Sequence, residues 1–434
     1  MKRLITRKLL TWKDSPRRKP LIVRGARQVG KTHTIGSLGR ESFDELAVID
    51  LERNRGWHRV FAEDLGARRI LSELRILLDM RIEPGKTLLF FDEIQSCPRA
   101  IMALRYLYEE IPELHVIAAG SLLDFTLLDI SVPVGRVQFL DMYPLVFAEY
   151  LWAIGRDQAA ELVLSTPGPV PDSVHSSLLR DLRDYFFVGG MPESVLAYIR
   201  SRSIRDSRSV HEELCEAYRQ DFSKYAPRAD PYCLDAVFAA TARSIGQQVQ
   251  YTSLAEGYSG PTIKRAFDLL TKARVTKKVS ATNPSGLPLG AGVSPRRFKA
   301  VMVDIGLMQH LLGLPIGLEH GKTDLLKIHE GAMAEQFVGQ EMLVSQGPDL
   351  YYWARQARNS TAEVDFLAVI ADSIVPVEVK SGPSGRLRSL HLLLESYPNC
   401  ERGYVFGTRN YSNLPEQKLT FLPLYFAFRA TSEA

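Results

Sequence analysis

Short apolar runs alternate with amphipathic helical patterns through the first 150 residues of the chain. Continuous apolar strands that are separated by helices are typical of a parallel sheet with helices on both faces. The sequence therefore predicts an α/β domain over residues 1–150. Its five predicted strands are residues 21–24, 46–51, 88–91, 116–119 and 137–140.

The pattern changes after this domain, and a chain of 434 residues has room for more than one core. Residues 151–229 are predicted to form a helical connector, with a break at Gly189 and Gly190. The pattern of residues 230–300 predicts a compact helical unit that ends in a basic ribbon. A second α/β pattern predicts a separate C-terminal domain over residues 301–434.

Lys and Arg are concentrated in two segments of a chain whose formal net charge is only +4. Residues 1–40 carry twelve of them against the single acid Asp14, and residues 259–299 carry nine against Asp268 alone. Such segments favour contact with a polyanion, although a solvated surface with acidic partners elsewhere in the fold also explains them. For the second segment we favour nucleic acid.

The cysteines and the apolar runs indicate where the protein resides. The four cysteines lie far apart and form no CxxC pair, which argues against a zinc site or a disulfide framework and fits a reducing compartment. No stretch reaches the length of a membrane-spanning helix, and no signal-peptide h-region follows Met1. The sequence therefore predicts a soluble cytoplasmic protein with no membrane partner.

An eight-residue motif of the form G-x-x-x-x-G-K-[ST] follows the first predicted strand and opens a helical pattern. Its two glycines let the backbone curl so that successive N–H groups point at phosphate oxygens, and the helix adds its positive end. The lysine can reach the β- and γ-phosphates of ATP, and the threonine hydroxyl can bind Mg²⁺. The predicted triphosphate site consists of Gly25, Ala26, Arg27, Gln28, Val29, Gly30, Lys31 and Thr32.

Asp92 and Glu93 follow a run of four apolar residues, and this arrangement predicts hydrolysis in addition to binding. A buried strand would deliver Asp92 to the carboxyl edge of the sheet, where it can hold the water shell of Mg²⁺. Glu93 can then align and polarise the attacking water. A surface turn would explain an isolated acid pair, but the upstream phosphate motif favours catalysis. ATP is favoured over GTP because no N-K-x-D base-reading motif is present.

Two further residues are candidates for contact with the γ-phosphate. Ser121 follows the fourth predicted strand, where ATPases of this type place a polar sensor. Arg136 precedes the fifth strand and can stabilise phosphate charge, either in its own chain or from a neighbouring subunit. A structural arginine that pairs an acid explains Arg136 equally well.

The phosphate motif together with Asp92, Glu93, Ile94 and Gln95 resembles a prokaryotic group of the AAA superfamily. Members of this group carry an N-terminal ATPase and a C-terminal domain described as of unknown function. The resemblance implies an ATPase core, a helical connector, a winged-helix-like unit and a restriction-endonuclease-like tail. It also suggests a homo-oligomer, because ATPases of this superfamily often complete their sites across subunits. Further landmarks of the group are Gly120-Ser121, Gly135-Arg136, Tyr143-Pro144-Leu145 and Gly189-Gly190-Met191-Pro192-Glu193.

Residues 252–273 predict a helix-turn-helix that is followed by a basic wing. Thr252 or Ser253 would cap a short first helix, and Pro261 suits the first turn of the second. The second helix buries an apolar stripe and turns Thr262, Lys264, Arg265 and Asp268 outward, towards a major groove. Phosphate contacts are expected from Lys277, Lys278, Arg296 and Arg297. Winged helices also serve as protein-interaction or lid modules, so a protein partner is the alternative to DNA.

The C-terminal domain contains the D…E-x-K spacing of the restriction-endonuclease-like fold, carried by Asp365, Glu378 and Lys380. Period-two alternation places Glu378 and Lys380 on the same face of a strand. Asp365 and Glu378 can then share Mg²⁺ or Mn²⁺ while Lys380 steadies the attacking water, and Glu335 can add a carboxylate from an upstream helix. No Pro precedes Asp365 and no Gln follows Lys380 in the next helical pattern. A surface salt bridge, or the same fold with its chemistry lost, is therefore the alternative.

Together these patterns predict an ATP-binding and ATP-hydrolysing, DNA-associated enzyme whose ATPase is coupled to a metal-dependent nuclease-like domain. One alternative is a nucleotide-driven switch that binds a protein or DNA and cuts nothing. Another is a DNA-binding regulator that uses ATP for assembly. The intact set of Asp365, Glu378 and Lys380 favours cleavage, whereas the absent downstream Gln favours the switch.

Overall fold

The computed structural model describes residues 1–127, 135–222, 229–294, 298–313, 330–355, 362–380 and 387–432. The chain folds as two units, Lys2–Pro144 and Leu145–Ala434. The predicted boundary after residue 150 falls inside a helix of the second unit, Phe147–Ala153. This helix belongs to the second unit because the rings of Phe147 and Tyr150 both contact the ring of Tyr185.

Five strands form the centre of the first unit: β1 (Leu21–Arg24), β2 (Glu45–Asp50), β3 (Thr87–Asp92), β4 (His115–Gly120) and β5 (Gln138–Asp141). They pair in parallel in the order β2-β3-β4-β1-β5. Every residue of β3 and β4 is buried, so both faces of the sheet are covered. The predicted parallel sheet is confirmed.

Helices connect these strands in the described part of the first unit. Pro98 stands in the first turn of its helix, where its missing N–H has no intrahelical partner to lose. Ile70, Leu71 and Leu74 form the buried face of another helix and enter the same hydrophobic core as the strands. The helices are α1 (Ile5–Asp14), α2 (Lys31–Ser42), α3 (Ala67–Leu78), α4 (Pro98–Glu110) and α5 (Leu123–Thr126).

The second unit begins with a helical segment. Its described helices are α6 (Phe147–Ala153), α7 (Asp157–Leu164), α8 (Asp172–Val188), α9 (Pro192–Ser201) and α10 (Ile204–Phe222). The predicted break at Gly189 and Gly190 separates α8 from α9. A Cβ at Gly189 would collide with the carboxylate of Asp304, and a Cβ at Gly190 would collide with a backbone carbonyl. Only glycine therefore fits this close approach.

Further helices of the second unit are α11 (Pro231–Arg243), α12 (Gly260–Lys272), α13 (Ile305–Leu311), α14 (Glu330–Ser345), α15 (Arg388–Ser396) and α16 (Ala427–Thr431). The Ser259 side chain accepts a hydrogen bond at the start of α12, and the predicted apolar stripe of that helix is buried. None of the helices in the described ranges is long and apolar enough to cross a membrane.

A mixed sheet of eight strands is the second unit's main β structure. The strands are β6 (Thr276–Ala281), β7 (Phe298–Met302), β8 (Leu350–Ala354), β9 (Glu363–Ile370), β10 (Ser373–Val379), β11 (Gly403–Gly407), β12 (Ser412–Leu414) and β13 (Leu419–Pro423). Their order is β12-β13-β11-β10-β9-β8-β6-β7. The structure thus differs from the predicted division after residue 300, because β6 pairs in parallel with β8 and the predicted wing continues the C-terminal sheet.

The first helix of the predicted helix-turn-helix is absent from its described position, where Tyr251–Ser253 forms only a 3-10 turn. Val249 bridges to Phe298, and the ring of Tyr251 lies on the rings of Phe267 and Phe298. These contacts bind the segment to the edge of the sheet, so it does not fold as an independent helix. Arg296 and Arg297, two of the predicted phosphate contacts, lie outside the described residues.

Helix α14 packs across the sheet between strands that are distant in sequence. A Cβ at Gly339 would collide with the side chains of Val301 on β7 and Phe366 on β9. The amide of Gln336 pairs with both backbone groups of Met302, donating to its C=O and accepting from its N–H at 2.8 Å each. This pairing satisfies backbone groups of the last strand in the sheet and fixes β7 against α14.

Candidate functional sites

The predicted phosphate loop curls between the carboxyl end of β1 and the start of α2. Gln28 and Gly30 adopt left-handed backbone angles, with φ of 64° and 92°. Gly25 lies so close to the carbonyl of Met142 that a side chain there would collide with it. The loop ends where α2 begins at Lys31, so the positive end of the helix faces the loop. This backbone shape fits a triphosphate.

Lys31 is buried, and its ammonium lies on the loop itself. Its Nζ donates to the carbonyl oxygens of Gly25, at 3.0 Å, and Ala26, at 2.8 Å. Both carbonyl oxygens are neutral acceptors. Hydrogen bonds from an ammonium to neutral carbonyls are weaker than those to phosphate oxygens, so a bound triphosphate can take this ammonium over.

Asp92 ends the buried strand β3 and meets the phosphate loop through Thr32. The hydroxyl of Thr32 lies near the Asp92 carboxylate and favours its charged form, so the two predicted Mg²⁺ ligands are neighbours. Burial raises the pKa of Asp92 above its usual value. A hydroxyl and a carboxylate beside a phosphate loop are the oxygen ligands that Mg²⁺ takes in such sites, so the residues present fit this ion.

Glu93 turns its side chain towards β4. Its backbone is left-handed, with φ of 46°, and its Oε2 accepts hydrogen bonds from Ser121 Oγ at 3.4 Å and from Gln95 Nε2. The structure therefore brings the predicted catalytic acid and the predicted sensor together. No role was predicted for Gln95, although it lies only two residues after Glu93.

Arg136 does not join this group. Strand β5 runs parallel to β1 with Gln138 opposite Leu21, so Arg136 precedes the amino end of β5 while the phosphate loop follows the carboxyl end of β1. Its guanidinium pairs with Glu109 on α4 at 2.7 Å. The prediction that Arg136 serves the nucleotide of its own chain is wrong, because Arg136 lies at the amino ends of the strands and the phosphate loop at their carboxyl ends. The alternative of a structural ion pair matches the contact observed.

Arg3 supports the phosphate loop, and the sequence analysis did not identify it. Although it belongs to the basic N-terminal segment, it is buried. Its guanidinium donates to the carbonyl oxygens of Val29, at 3.1 Å, and Tyr143, at 2.6 Å. It thereby ties the loop to the segment that follows β5. No local pattern reveals this role, because one of the two acceptors lies far along the chain. Arg27 is half-buried and Gln28 exposed.

In the second unit, the residues of the D…E-x-K pattern meet on two neighbouring strands. Strands β9 and β10 are antiparallel, and Phe366 pairs with Val377. Asp365 and Glu378 are the next residues on the two strands beyond this pair. Asp365 Oδ2 accepts from the backbone N–H of Val379 at 2.9 Å. Lys380 Nζ lies 2.5 Å from Glu378 Oε1. The predicted proximity of these groups is therefore present.

A second ammonium lies among these carboxylates. Lys299 on β7 is 1% exposed, and its Nζ lies 2.5 Å from Glu335, 2.6 Å from Glu363 and 3.1 Å from Asp365. Burial alone would lower the pKa of Lys299, but the three carboxylates raise it well above the usual lysine value. The sequence analysis counted Lys299 in a basic segment. Glu363 could have been recognised, because period two places it on the same face of β9 as Asp365.

These groups form what we call the carboxylate cluster: Glu335, Glu363, Asp365, Glu378, Lys299 and Lys380. Burial, followed by the charge of Asp365, raises the pKa of both Glu335 and Glu378. Among the described residues, no three Asp, Glu, His or Cys side chains are arranged to hold a metal ion. The predicted Mg²⁺ or Mn²⁺ ligands Glu335, Asp365 and Glu378 are thus close together, but ammonium groups already contact them: Lys299 contacts Glu335 and Asp365, and Lys380 contacts Glu378.

The outward face of α12 is where the sequence predicts a nucleic-acid contact. Lys264 and Arg265 are exposed there, as is Asp268. Lys278, by contrast, is half-buried, with its ammonium 4.9 Å from the centre of the Phe298 ring and 6.0 Å from that of Tyr251. Of the described cations between residues 259 and 294, the exposed ones therefore lie on the helix, and Lys278 is held against the aromatic rings.

Comparison with family models gives three matches. Residues 17–151 match the model of the AAA domain, which covers the five-stranded sheet and the phosphate loop. Residues 179–316 match a domain of unknown function (DUF8612), and residues 330–426 match another domain of unknown function (DUF4143). No curated protein gives a significant sequence match.

Several solved structures resemble the chain at low identity. A Walker-type ATPase of Pyrococcus abyssi is 15% identical, with 71% of this chain and 94% of that one covered at a TM-score of 0.45. The RuvB Holliday junction branch migration motor of Thermotoga maritima is 17% identical, with coverage of 64% and 89% and a TM-score of 0.29. AMPPCP-bound DnaA from Aquifex aeolicus is 11% identical, with coverage of 62% and 88% and a TM-score of 0.30.

Proposed function

We propose that this chain, whose first unit contains an AAA-type P-loop ATPase domain, uses ATP hydrolysis to change the state of a DNA-bound second unit. The observation that carries the catalytic part is the convergence of three groups at the carboxyl edge of one parallel sheet. These groups are the phosphate loop with Lys31, the neighbouring side chains of Thr32 and Asp92, and Glu93 beside Ser121.

The loop binds the triphosphate through its backbone N–H groups and the ammonium of Lys31. When ATP arrives, Lys31 exchanges two neutral carbonyl acceptors for charged phosphate oxygens. Thr32 and Asp92 would hold Mg²⁺, which would supply positive charge to the phosphates. This arrangement orients the phosphates and stabilises the charge that develops on them during hydrolysis.

Glu93 aligns the attacking water and accepts its proton. Ser121 and Gln95 both donate to the Glu93 carboxylate, so they set its position before the nucleotide arrives. We expect Ser121 to exchange this hydrogen bond for one to the γ-phosphate, which frees Glu93 for the water. Coupling of this kind links the binding of ATP to the activation of the base.

Glu93→Gln is the test of this assignment. We expect turnover to fall by about 100-fold or more, because the amide cannot accept the proton, while the affinity for a fluorescent ATP analogue stays unchanged. Glu41→Gln removes an exposed acid from the same unit and is the matched control. Unchanged turnover in Glu93→Gln would remove Glu93 from the mechanism.

The DNA-bound state is proposed from the exposed cations Lys264 and Arg265 of α12. They stand on the face opposite a fully buried apolar stripe, which is how helices that enter a groove are presented. We expect Lys264→Ala with Arg265→Ala to weaken binding to labelled duplex and junction DNA in fluorescence anisotropy. The slope of the logarithm of affinity against the logarithm of salt concentration should become shallower by about one for each cation that no longer pairs with a phosphate.

The matched control for DNA binding is Asp268→Ala, which removes an exposed acid from the same helix. It should leave binding intact or strengthen it, because it removes a negative charge. If the wild-type chain binds none of these DNAs and none stimulates its ATPase, the second unit is a module for a protein partner. The nucleotide-driven switch then remains without DNA.

Metal-dependent nuclease activity is the second candidate function of the second unit. The observation that favours it is the meeting of Asp365, Glu378 and Lys380 on neighbouring strands. Plasmid, junction and single-stranded DNA should be incubated with the protein and Mg²⁺ or Mn²⁺, with and without ATP. Nicking that disappears in Asp365→Ala with Lys380→Ala, while ATPase activity persists, would establish it.

A further inference from the structure

The geometry points to Lys299 as the resident cation of the carboxylate cluster, where its ammonium stands in for the divalent metal and keeps the cluster free of metal. This inference rests on the second candidate function, because it specifies which cation occupies that site before any metal enters. It is independent of ATP hydrolysis in the first unit.

The first argument is the match between donors and acceptors at Lys299. An ammonium has three N–H donors, and three different carboxylates approach Nζ at 2.5, 2.6 and 3.1 Å. The side chain is 1% exposed, so water does not compete for these contacts. Since Mg²⁺ binds oxygens at about 2.0–2.1 Å, it would need the positions that the ammonium already holds.

The second argument is that Lys299 is fixed by its strand. Gln336 pairs with both backbone groups of Met302 on β7, and Val301 packs against Gly339 of α14. The ring of Tyr352 lies 5.6 Å from Nζ. The backbone beside Lys299 is thus held by α14, the helix that also supplies Glu335.

The third argument is an unpaired oxygen. Glu378 is 6% exposed, and its Oε2 is buried with no hydrogen-bond partner among the described residues. Its charge interacts with Asp365 and Lys299, so it faces the same cluster. A buried carboxylate oxygen without a partner is costly, and it is the group that would bind a cation once Lys299 is removed.

Lys299→Met is the direct test, because Met keeps the volume of the side chain and removes its charge. Binding of Mn²⁺ to the full chain, without nucleotide, is measured by electron paramagnetic resonance. We expect the wild type to show no Mn²⁺ site that depends on Asp365. Lys299→Met should gain one Mn²⁺ site, at least about tenfold tighter than any wild-type binding, because a competing positive charge is gone. Adding Asp365→Asn should abolish the gained site.

Two further variants keep the inference open to refutation. Lys380→Met removes the other, partly exposed ammonium and should gain no comparable site. If Lys299→Met fails to fold, Lys299→Met with Glu335→Gln removes one charge of each sign and leaves three carboxylates. A folded double variant that gains no Mn²⁺, or a wild type whose Mn²⁺ site is lost in Asp365→Asn, would overturn the inference. Equal gains in Lys380→Met would also overturn it, by reducing the effect to net charge.

Discussion

Two buried lysines, one in each unit, distinguish a site that is open to exchange from one that is closed. In the first unit Lys31 donates to two neutral backbone carbonyls of its own loop. In the second, Lys299 is surrounded by three carboxylates at 2.5–3.1 Å. The residue type and the degree of burial are nearly the same, but these two acceptors of Lys31 are neutral, whereas the three of Lys299 are charged.

The charge of the acceptors therefore determines whether a buried lysine is ready to bind a ligand or itself occupies the place of a metal ion. A charged triphosphate offers Lys31 stronger acceptors than carbonyls, so ligand binding and release of the lysine favour each other. Lys299 already has three charged acceptors, so an anionic ligand would give it no stronger ones. A divalent cation must also displace the ammonium from oxygens that already compensate its desolvation. The same residue thus prepares one site for its ligand and excludes the ligand from the other.

Lys31→Ala should produce the largest effect, and it tests whether Lys31 serves the nucleotide. Without the ammonium, we expect ATP turnover to fall by about 100-fold or more, because charge on the transferred phosphate loses its stabilisation. Nucleotide affinity, measured with a fluorescent ATP analogue, should fall as well. The control is Lys86→Ala, an exposed lysine of the same unit. Unaltered nucleotide affinity in Lys31→Ala would show that its carbonyl contacts are only structural.

Lys299→Ala should have the next largest effect, and it acts on stability. Removing one member of a buried ion cluster leaves carboxylates without compensation, and such changes typically cost about 3–5 kcal/mol. The denaturation midpoint of the second unit, followed through Trp353 on β8, should fall accordingly. Lys380→Ala is the matched control and should cost less, since its ammonium is partly exposed and pairs with one carboxylate where Lys299 pairs with three. Equal losses in the two variants would mean that Lys299 is an ordinary salt-bridge residue.

The same comparison explains what the sequence could predict. The phosphate motif, the acid pair and the five parallel strands were identified because each depends on residues that are close together in the chain. Lys31 is recognisable from its neighbours Gly30 and Thr32. Lys299 lies between Phe298 and Ala300, and its partners begin at Glu335, so no local pattern distinguishes it from a solvated cation.

The second unit also shows why long-range pairing is hard to predict. Strand β6 pairs with β8 in parallel, and the segment between them contains strand β7 and helices α13 and α14. Alternation along β6 and β7 indicates strands, but it does not identify their neighbours in a sheet. The predicted wing and the predicted C-terminal domain therefore appeared separate. The DNA contact on α12 and the cleavage chemistry remain predictions.

The second unit also contains buried acids such as Glu341, so its stability should depend on pH. Glu341 on α14 accepts from the backbone N–H of Phe147 at 2.9 Å, and burial raises its pKa from 4.5 to about 8. The folded state therefore keeps its proton while the unfolded state loses it. Stability should decline as pH rises from about 4.5 to about 8, by up to about 5 kcal/mol from this group.

Glu341→Gln should flatten that decline, because the amide keeps a neutral acceptor and cannot ionise. Urea midpoints at several pH values between 5 and 9 measure the effect. Glu416→Gln, an exposed acid of the same unit, is the control and should leave the wild-type pH profile unchanged. If Glu341→Gln shows the full wild-type decline, other groups cause it.

Arg3→Gln should produce the smallest effect, on the open site itself. Arg3 donates to Val29 in the phosphate loop and to Tyr143, so it positions the loop without touching the nucleotide. Losing a buried hydrogen bond of this kind costs about 1 kcal/mol, and we expect KM for ATP to rise several-fold while kcat changes little.

Arg3→Lys should rescue only part of the loss, because a lysine cannot reproduce the planar fork that spans both carbonyls. Arg7→Gln, an exposed change on α1, should leave KM unaltered. A lower thermal midpoint with an unchanged KM in Arg3→Gln would mean that Arg3 only anchors the chain terminus, and that the loop holds its shape for the triphosphate without it.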